Sequence, residues 1–190
     1  TLEDIIPDGH MGFVGTLRVN VRYQLAQSNL KIDITATSDA ASLCNFTNHS
    51  YFNLDGRPQI DLHRLQVLSK RYLPVDETGI PSQAPTPVAG SKYDFSNFSA
   101  LCENGTFAKI DHNYCLNDRR RPITTVARLS TDALDMEMAS TEPGVHIYTG
   151  SGLSDFSAKG HAGYAYRALA GIALEAQTWP DAPNRPEYPS

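Results

Sequence analysis

The chain has no apolar run of about 18 residues, so nothing in it reads as a membrane-spanning helix. It has no basic excess either. Sixteen lysines and arginines stand against 21 aspartates and glutamates, and a net charge of −5 gives no electrostatic footprint for nucleic acid. The one basic run, Arg119-Arg120-Arg121, lies between Asp118 and Pro122 and reads as a solvated turn. Cysteine is scarce. Cys44, Cys102 and Cys115 are an odd number with no CxxC pair, so reduced thiols and a cytoplasmic setting are expected. No Walker loop or GxGxxG is present. His10, His63 and His161 are widely spaced, without the His-x₃-His or HExxH patterns that bind metals, so no metal site is expected. Thr1-Leu2-Glu3-Asp4 is unlike a signal peptide. Helical periodicity is missing over any long stretch, and so is an internal repeat.

What the chain does have is alternation. Its 190 residues are 41% hydrophobic and 19% charged, the balance of a soluble globular chain with a sizeable core. After a loop over Ile5 to Gly15, Thr16 to Leu25 places Leu17, Val19, Val21, Tyr23 and Leu25 on one face, opposite Arg18, Asn20, Arg22 and Gln24. Asn29 to Ser38 repeats the pattern, with Leu30, Ile32, Ile34 and Ala36 inward. Period two with β-branched residues predicts a hairpin with one solvated face. A third strand is expected over Ala41 to Phe46.

Further strands are expected over Leu62 to Ser69, Asp111 to Asn117, Thr124 to Ser130, Ala133 to Ala139, Val145 to Thr149 and Gly171 to Gln177. Pro74 to Ser91 holds four prolines and two glycines and reads as loop, as does Gly150 to Gly160. Tyr93 to Thr106 is irregular, with room for a short helix. Many short strands separated by turns indicate an all-β, antiparallel β-sandwich. No linker divides it, so residues 1–190 are expected to form a single domain.

Chemistry gathers at Thr47-Asn48-His49-Ser50-Tyr51-Phe52-Asn53-Leu54. A histidine among amides, hydroxyls and two aromatic rings suits a sugar, which has apolar C–H faces and a polar rim. Asn-x-Ser/Thr sequons start at Asn45, Asn48, Asn97 and Asn104. Two lie in or against this stretch, where a glycan would block it, so all four are expected to be unused.

This stretch resembles, letter for letter, the TNHSYFNL motif of the aldose 1-epimerases (galactose mutarotases). Asp111-His112-Asn113-Tyr114-Cys115-Leu116 is similar to the family's DHNFCL-like segment. Gly171 to Asn184 resembles its C-terminal GxxLExQxxPDAPN pattern. Weaker matches, Pro7-Asp8-Gly9, Val75-Asp76, Ile80-Pro81, Asp94-Phe95 and Tyr148-Thr149-Gly150, fall in the family's order. The resemblance implies a large sandwich of the galactose-mutarotase type and interconversion of the α and β anomers of a free hexose such as galactose or glucose. It implies no cofactor. Pro180, Pro183, Pro186 and Pro189 could mark a polyproline II ligand, but the resemblance makes that tail a loop wrapping the site.

Anomer exchange needs the C1 hydroxyl to lose a proton while the ring oxygen gains one, so one base and one acid flanking the C1–O5 bond suffice. Each contributes ~10²–10⁴-fold when its pKa lies near working pH. By resemblance Glu175 is the base, His49 the acid and Asp111 a sugar anchor, with His112 left structural. Glu175 and Gln177 project together from a strand whose other face is Ile172, Leu174 and Ala176. His146 stands where the family usually has a sugar-contacting glutamine. It can still make one hydrogen bond to substrate, with a different geometry. Relatives also carry a segment before Thr1 with substrate contacts, and a final strand after Ser190. The resemblance therefore makes this a C-terminal portion, incomplete at both ends, with the N-terminal segment of the same protein as an expected partner. The rival reading is a non-catalytic sugar-binding or regulatory module on the same scaffold. A mutarotase part of a larger fused protein is a third.

Overall fold

A computed structural model of the chain describes residues 1–153, 160, 163 and 165–189; His161, most of the loop expected over residues 150–160 and Ser190 lie outside the described residues. Among the described residues there is no α-helix, only strands and two single 3₁₀ turns at His10–Gly12 and Ala182–Asn184. Among these residues no helix is long and apolar enough to cross a membrane. The chain falls into two compact units, Thr1–Phe46 and Thr47–Ser190.

The first unit is a three-stranded antiparallel sheet of β1 (Leu2–Ile6), β2 (Leu17–Ala26) and β3 (Asn29–Ser38), in that order. The β2–β3 ladder runs unbroken from Leu17–Ser38 to Ala26–Asn29. Its apolar face is buried at Leu17 and Val19, but Tyr23, Leu25 and Leu30 near the hairpin tip remain exposed. Inward burial along the whole hairpin is therefore corrected: alternation sets which residues share a face, and no second layer within this unit covers the tip. β1 takes in Ile5 and Ile6, the first two residues of the loop expected over Ile5 to Gly15. It lacks alternation and is a strand because β2 offers it a free edge.

The second unit holds β4 (Tyr51–Phe52), β5 (Arg64–Val67), β6 (Arg71–Tyr72), β7 (Thr86–Pro87), β8 (Ser99–Ala100), β9 (Cys102–Glu103), β10 (Thr106–Phe107), β11 (Asp111–Cys115), β12 (Thr124–Ser130), β13 (Asp135–Ser140), β14 (Gly144–Tyr148) and β15 (Ile172–Gln177). One sheet has the order β4-β15-β14-β11-β6-β7 and another β13-β12-β5-β8, with β9 and β10 a separate hairpin. The two sheets pack face to face. Tyr114, Val145, Ile147, Ile172 and Leu174 of the first meet Leu65, Val67, Val126, Ala127 and Leu129 of the second in one apolar core. Each such aliphatic side chain stabilises by about 1.5–3 kcal/mol. A smaller cluster of Leu73, Cys115, Trp179 and Tyr188 fastens the C-terminal tail, and burial there pushes the Cys115 thiol up to about 12.

Three expectations are corrected here. Ala41 to Phe46 is not a strand, and regular pairing begins only at Tyr51. Strand propensity without a partner to pair with decides little, and Phe46 ends the first unit. Tyr93 to Thr106 contains no helix. It supplies β8 and β9, and Asn104-Gly105, both at positive φ, make the tight turn into β10. Pro74 to Ser91 is loop apart from β7, whose proline is tolerated because β7 lies at the sheet edge.

Candidate active site

The antiparallel register of β11, β14 and β15 builds the site. Glu175 lies directly across from His146, and Asp111 directly across from Tyr148. Strand side chains alternate in direction. Glu175 and Gln177, His146 and Tyr148, and Asp111 therefore share one face of the sheet. The residues between them, Leu174, Ile147, Val145 and Tyr114, enter the core. The sequence pattern that buries one face thus places Asp111, His146, Tyr148 and Glu175 on the other, while His112 and Tyr114 of β11 face inward.

Two glycines let the chain close around that face. Gly150 takes φ +68 and stands so close to Gly171 that an added Cβ would lie 2.6 Å from the Gly171 carbonyl oxygen. A Cβ on Gly171 would meet that of Tyr51 at 3.0 Å. This brings β4 against β15, with Tyr51 paired to Ala173 and Phe52 to Ile172. Asn53 then ties the segment down by donating to the Ala170 and Arg57 carbonyls at 2.9 and 2.8 Å. His49, just ahead of β4, reaches Glu175 with Nε2 3.3 Å from Oε1. Its side chain is 52% exposed and that of Glu175 only 10%. The strand expected to lead into His49 is absent, so the motif is delivered by pairing after it.

The electrostatics are uneven. Burial raises the Glu175 pKa above the usual carboxylate value; His49 and His146 oppose that shift and Asp111 adds to it. The His146 ring donates from Nε2 to Asp111 Oδ1 at 2.7 Å. Tyr51 stacks near His49 and meets Tyr148 edge-on, with ring centroids 5.1 and 6.1 Å apart. Burial, and then Tyr148 and Glu175, push the Tyr51 hydroxyl above its ordinary value. The tyrosines offer an aromatic shelf beside the ionisable groups.

An open cleft of about 350 Å³ is lined by His49, Gly79, Asp111, His146, Tyr148, Glu175, Gln177 and Pro180. All four side chains singled out in the sequence, His49, Asp111, His146 and Glu175, are therefore brought to one place. Gly79 was not foreseen. It comes from a turn capped by the Asp76 carboxylate, which accepts from the amides of Thr78 and Ile80. The tail grips that loop, with Arg185 donating to the Pro81 carbonyl at 2.8 Å and Tyr188 to that of Gln83 at 3.2 Å. The tail is thus folded onto the loop that helps form the cleft, as expected of a loop wrapping the site. His112 points to the opposite side of β11, between Tyr72 and Tyr93. Among the described residues no group of three or more histidine, cysteine, aspartate or glutamate side chains is placed to hold a metal ion.

Comparison with known proteins gives the family and the fold. A family model described as aldose 1-epimerase matches residues 1–190. The galactose mutarotase of Mus musculus is 37% identical over 194 residues, covering 97% of this chain and 56% of its own length. The aldose 1-epimerase of Escherichia coli (strain K12) is 36% identical over 193 residues, covering 96% of this chain and 55% of its own. Among solved structures, a GalM/aldose epimerase homologue from C. elegans superposes with a TM-score of 0.86 at 25% identity, over 99% of this chain and 58% of that one. A galactose 1-epimerase from Lactobacillus acidophilus gives 0.77 at 29% identity, over 94% and 53%. The chain spans little more than half the length of the curated relatives it matches.

Proposed function

The chain belongs to the aldose 1-epimerase family, and from that premise we propose that its cleft interconverts the α and β anomers of a free hexose. The observation that carries the reading is a buried carboxylate, Glu175, 3.3 Å from a half-exposed histidine, His49, in an open cleft. The C1 hydroxyl and the ring oxygen are bonded to the same carbon. Groups serving them must therefore both lie within reach of that carbon, and these two line the same cleft.

Glu175, ionised, takes the proton of the C1 hydroxyl. His49, protonated, gives one to the ring oxygen as the C1–O5 bond breaks and C1 becomes an aldehyde. After rotation about C1–C2, the freed hydroxyl attacks the other face of C1. Its proton returns to His49, and Glu175 reprotonates the new C1 oxygen. No proton or electron is consumed, so the cycle needs no cofactor. Burial strengthens Glu175 as a base by bringing its pKa toward working pH. Asp111 accepts sugar hydroxyls, and Tyr51 and Tyr148 offer rings to the C–H face. No lysine or arginine lines the cleft among the described residues, which favours an uncharged sugar over a phosphorylated one. Cys102 and Cys115 are thiols outside any disulfide, which suits a reducing cytoplasm.

The test is polarimetry on freshly dissolved α-D-galactose and α-D-glucose, with Glu175→Gln as control. Exchange above the spontaneous rate, lost by ~10²–10⁴-fold in the variant, supports the reading. Sugar binding without exchange, also in a chain extended at both ends, overturns it in favour of a binding module.

A further inference from the structure

His146 touches the anchor and faces the base. The register sets it directly across from Glu175, and diagonal to Asp111, since Asn113 is the residue of β11 opposite it. Its side chain is largely buried, while the Asp111 carboxylate to which it donates is exposed. Among the described residues His146 is that carboxylate's hydrogen-bond partner. We propose that His146 is a positioning residue that links the two carboxylates, orienting Asp111 for the sugar and setting by its own charge how readily Glu175 takes a proton. The proposal rests on the reading of Glu175 as the base.

The charges around the pair determine the direction. Glu175 faces His49 and Tyr51 from the β4 side, His146 and Tyr148 from β14, and Asp111 from β11. His146 faces Asp111 and Glu175, with His112 on the far side of β11. A cationic His146 holds Glu175 ionised and weakens it as a base. When His146 loses its proton, Asp111 repels the Glu175 charge with only His49 to offset it, and the base strengthens. The two carboxylates are thus linked through one ring: the side chain that holds the sugar's acceptor in place also faces the base that removes the C1 proton.

Two variants separate these roles. A glutamine at this position can still donate to Asp111 but cannot carry charge; an alanine can do neither. The Glu175 carboxyl is titrated by ¹³C NMR in wild type, His146→Gln and His146→Ala, alongside the pH profile of kcat/KM for galactose exchange. In both variants the Glu175 titration and the acid limb of the profile should move up by about one pH unit. KM should stay within about 2-fold in His146→Gln and rise about 10-fold or more in His146→Ala. A Glu175 titration at the same pH in wild type and both variants overturns the link, and equal KM values in the two variants overturn the positioning of Asp111. The NMR titration needs no turnover. If it moves while wild type shows no exchange, the anomerase reading fails and the electrostatic link stands.

Discussion

The sheet formed by β11, β14 and β15 has two unlike faces. One carries Tyr114, Val145, Ile147, Ile172 and Leu174 into the core, each at most 2% exposed. The other carries Asp111, His146, Tyr148, Glu175 and Gln177 into an open cleft. Backbone pairing is common to both, so the difference lies wholly in the side chains. The apolar face gains its free energy by leaving water. The polar face costs free energy at Glu175, whose charge is buried beside a second carboxylate and only partly offset by two histidines. The first face therefore holds the strands in register, and the second uses that register to hold charges where they are electrostatically unfavourable.

Neighbouring residues on β15 give the largest test of this division. Leu174→Ala removes a core side chain 2% exposed and should lower unfolding stability by about 2–5 kcal/mol in urea titration. Glu175→Gln, one residue away, should leave stability within about 1 kcal/mol of wild type or raise it, because a buried charge becomes a neutral amide of similar shape. Exchange activity should respond in the reverse order. Equal stability losses in the two variants would show that the polar face supports the fold as much as the apolar one does.

This division was legible in the chain. Period two at Ile172, Leu174 and Ala176 already places Glu175 and Gln177 on the opposite side, and the same rule separates Asp111 from His112. Asn29–Ser38 is a strand at the expected bounds, because alternation over ten residues is a strong signal; Thr124–Ser130 also keeps its expected bounds, though a register shift between Thr125 and Ala127 interrupts its alternation. Short elements escaped. Two-residue strands such as β6 and β8 have no period to read and exist through their partners. Ala41 to Phe46 had strand composition but joins no strand ladder. Gly79 reaches the cleft through a turn held by Asp76 and a tail anchored 104 residues away by Arg185, a contact that no local pattern encodes. Tyr148 follows His146 by two and could have been placed by the same alternation that placed Gln177. The motifs marked His49 and Glu175, but their 3.3 Å approach depends on β4 pairing with β15 across about 120 residues.

His112 sharpens the comparison as the histidine on the inner side of β11, two residues before the buried Tyr114. Burial, and then His146, lower its pKa from 6.5 to about 4. Below pH 6.5 the unfolded chain takes up a proton that the folded chain refuses until about pH 4. The stability contributed by neutral His112 is therefore complete above 6.5 and is lost as pH falls across that window. His112→Phe keeps a ring between Tyr72 and Tyr93 and should show a smaller drop in urea midpoint from pH 7 to pH 5 than wild type. Parallel drops would mean that the other groups carry the whole acid sensitivity, among them His63, whose pKa burial also lowers.

The smallest effect belongs to polar residues that face water with no cleft around them. On the other sheet, Arg128 and Glu137 sit opposite each other on β12 and β13, bonded at 2.9 Å from Nε to Oε2. The arginine's hydrogen bonds hold the Glu137 carboxyl below its ordinary value, with Thr125 assisting. Water competes for both partners, and salt screens them. Arg128→Ala should therefore cost less than about 1 kcal/mol, and less again in 0.5 M salt, with exchange activity unchanged. A loss above about 2 kcal/mol would place the arginine's aliphatic stem, and not its charge, in the packing of the sheet. The contrast between the faces would then be one of burial more than of charge. With the smaller loss, an ion pair on an open sheet face is nearly neutral, and Glu175 and His49 differ from it because the carboxylate is taken out of water.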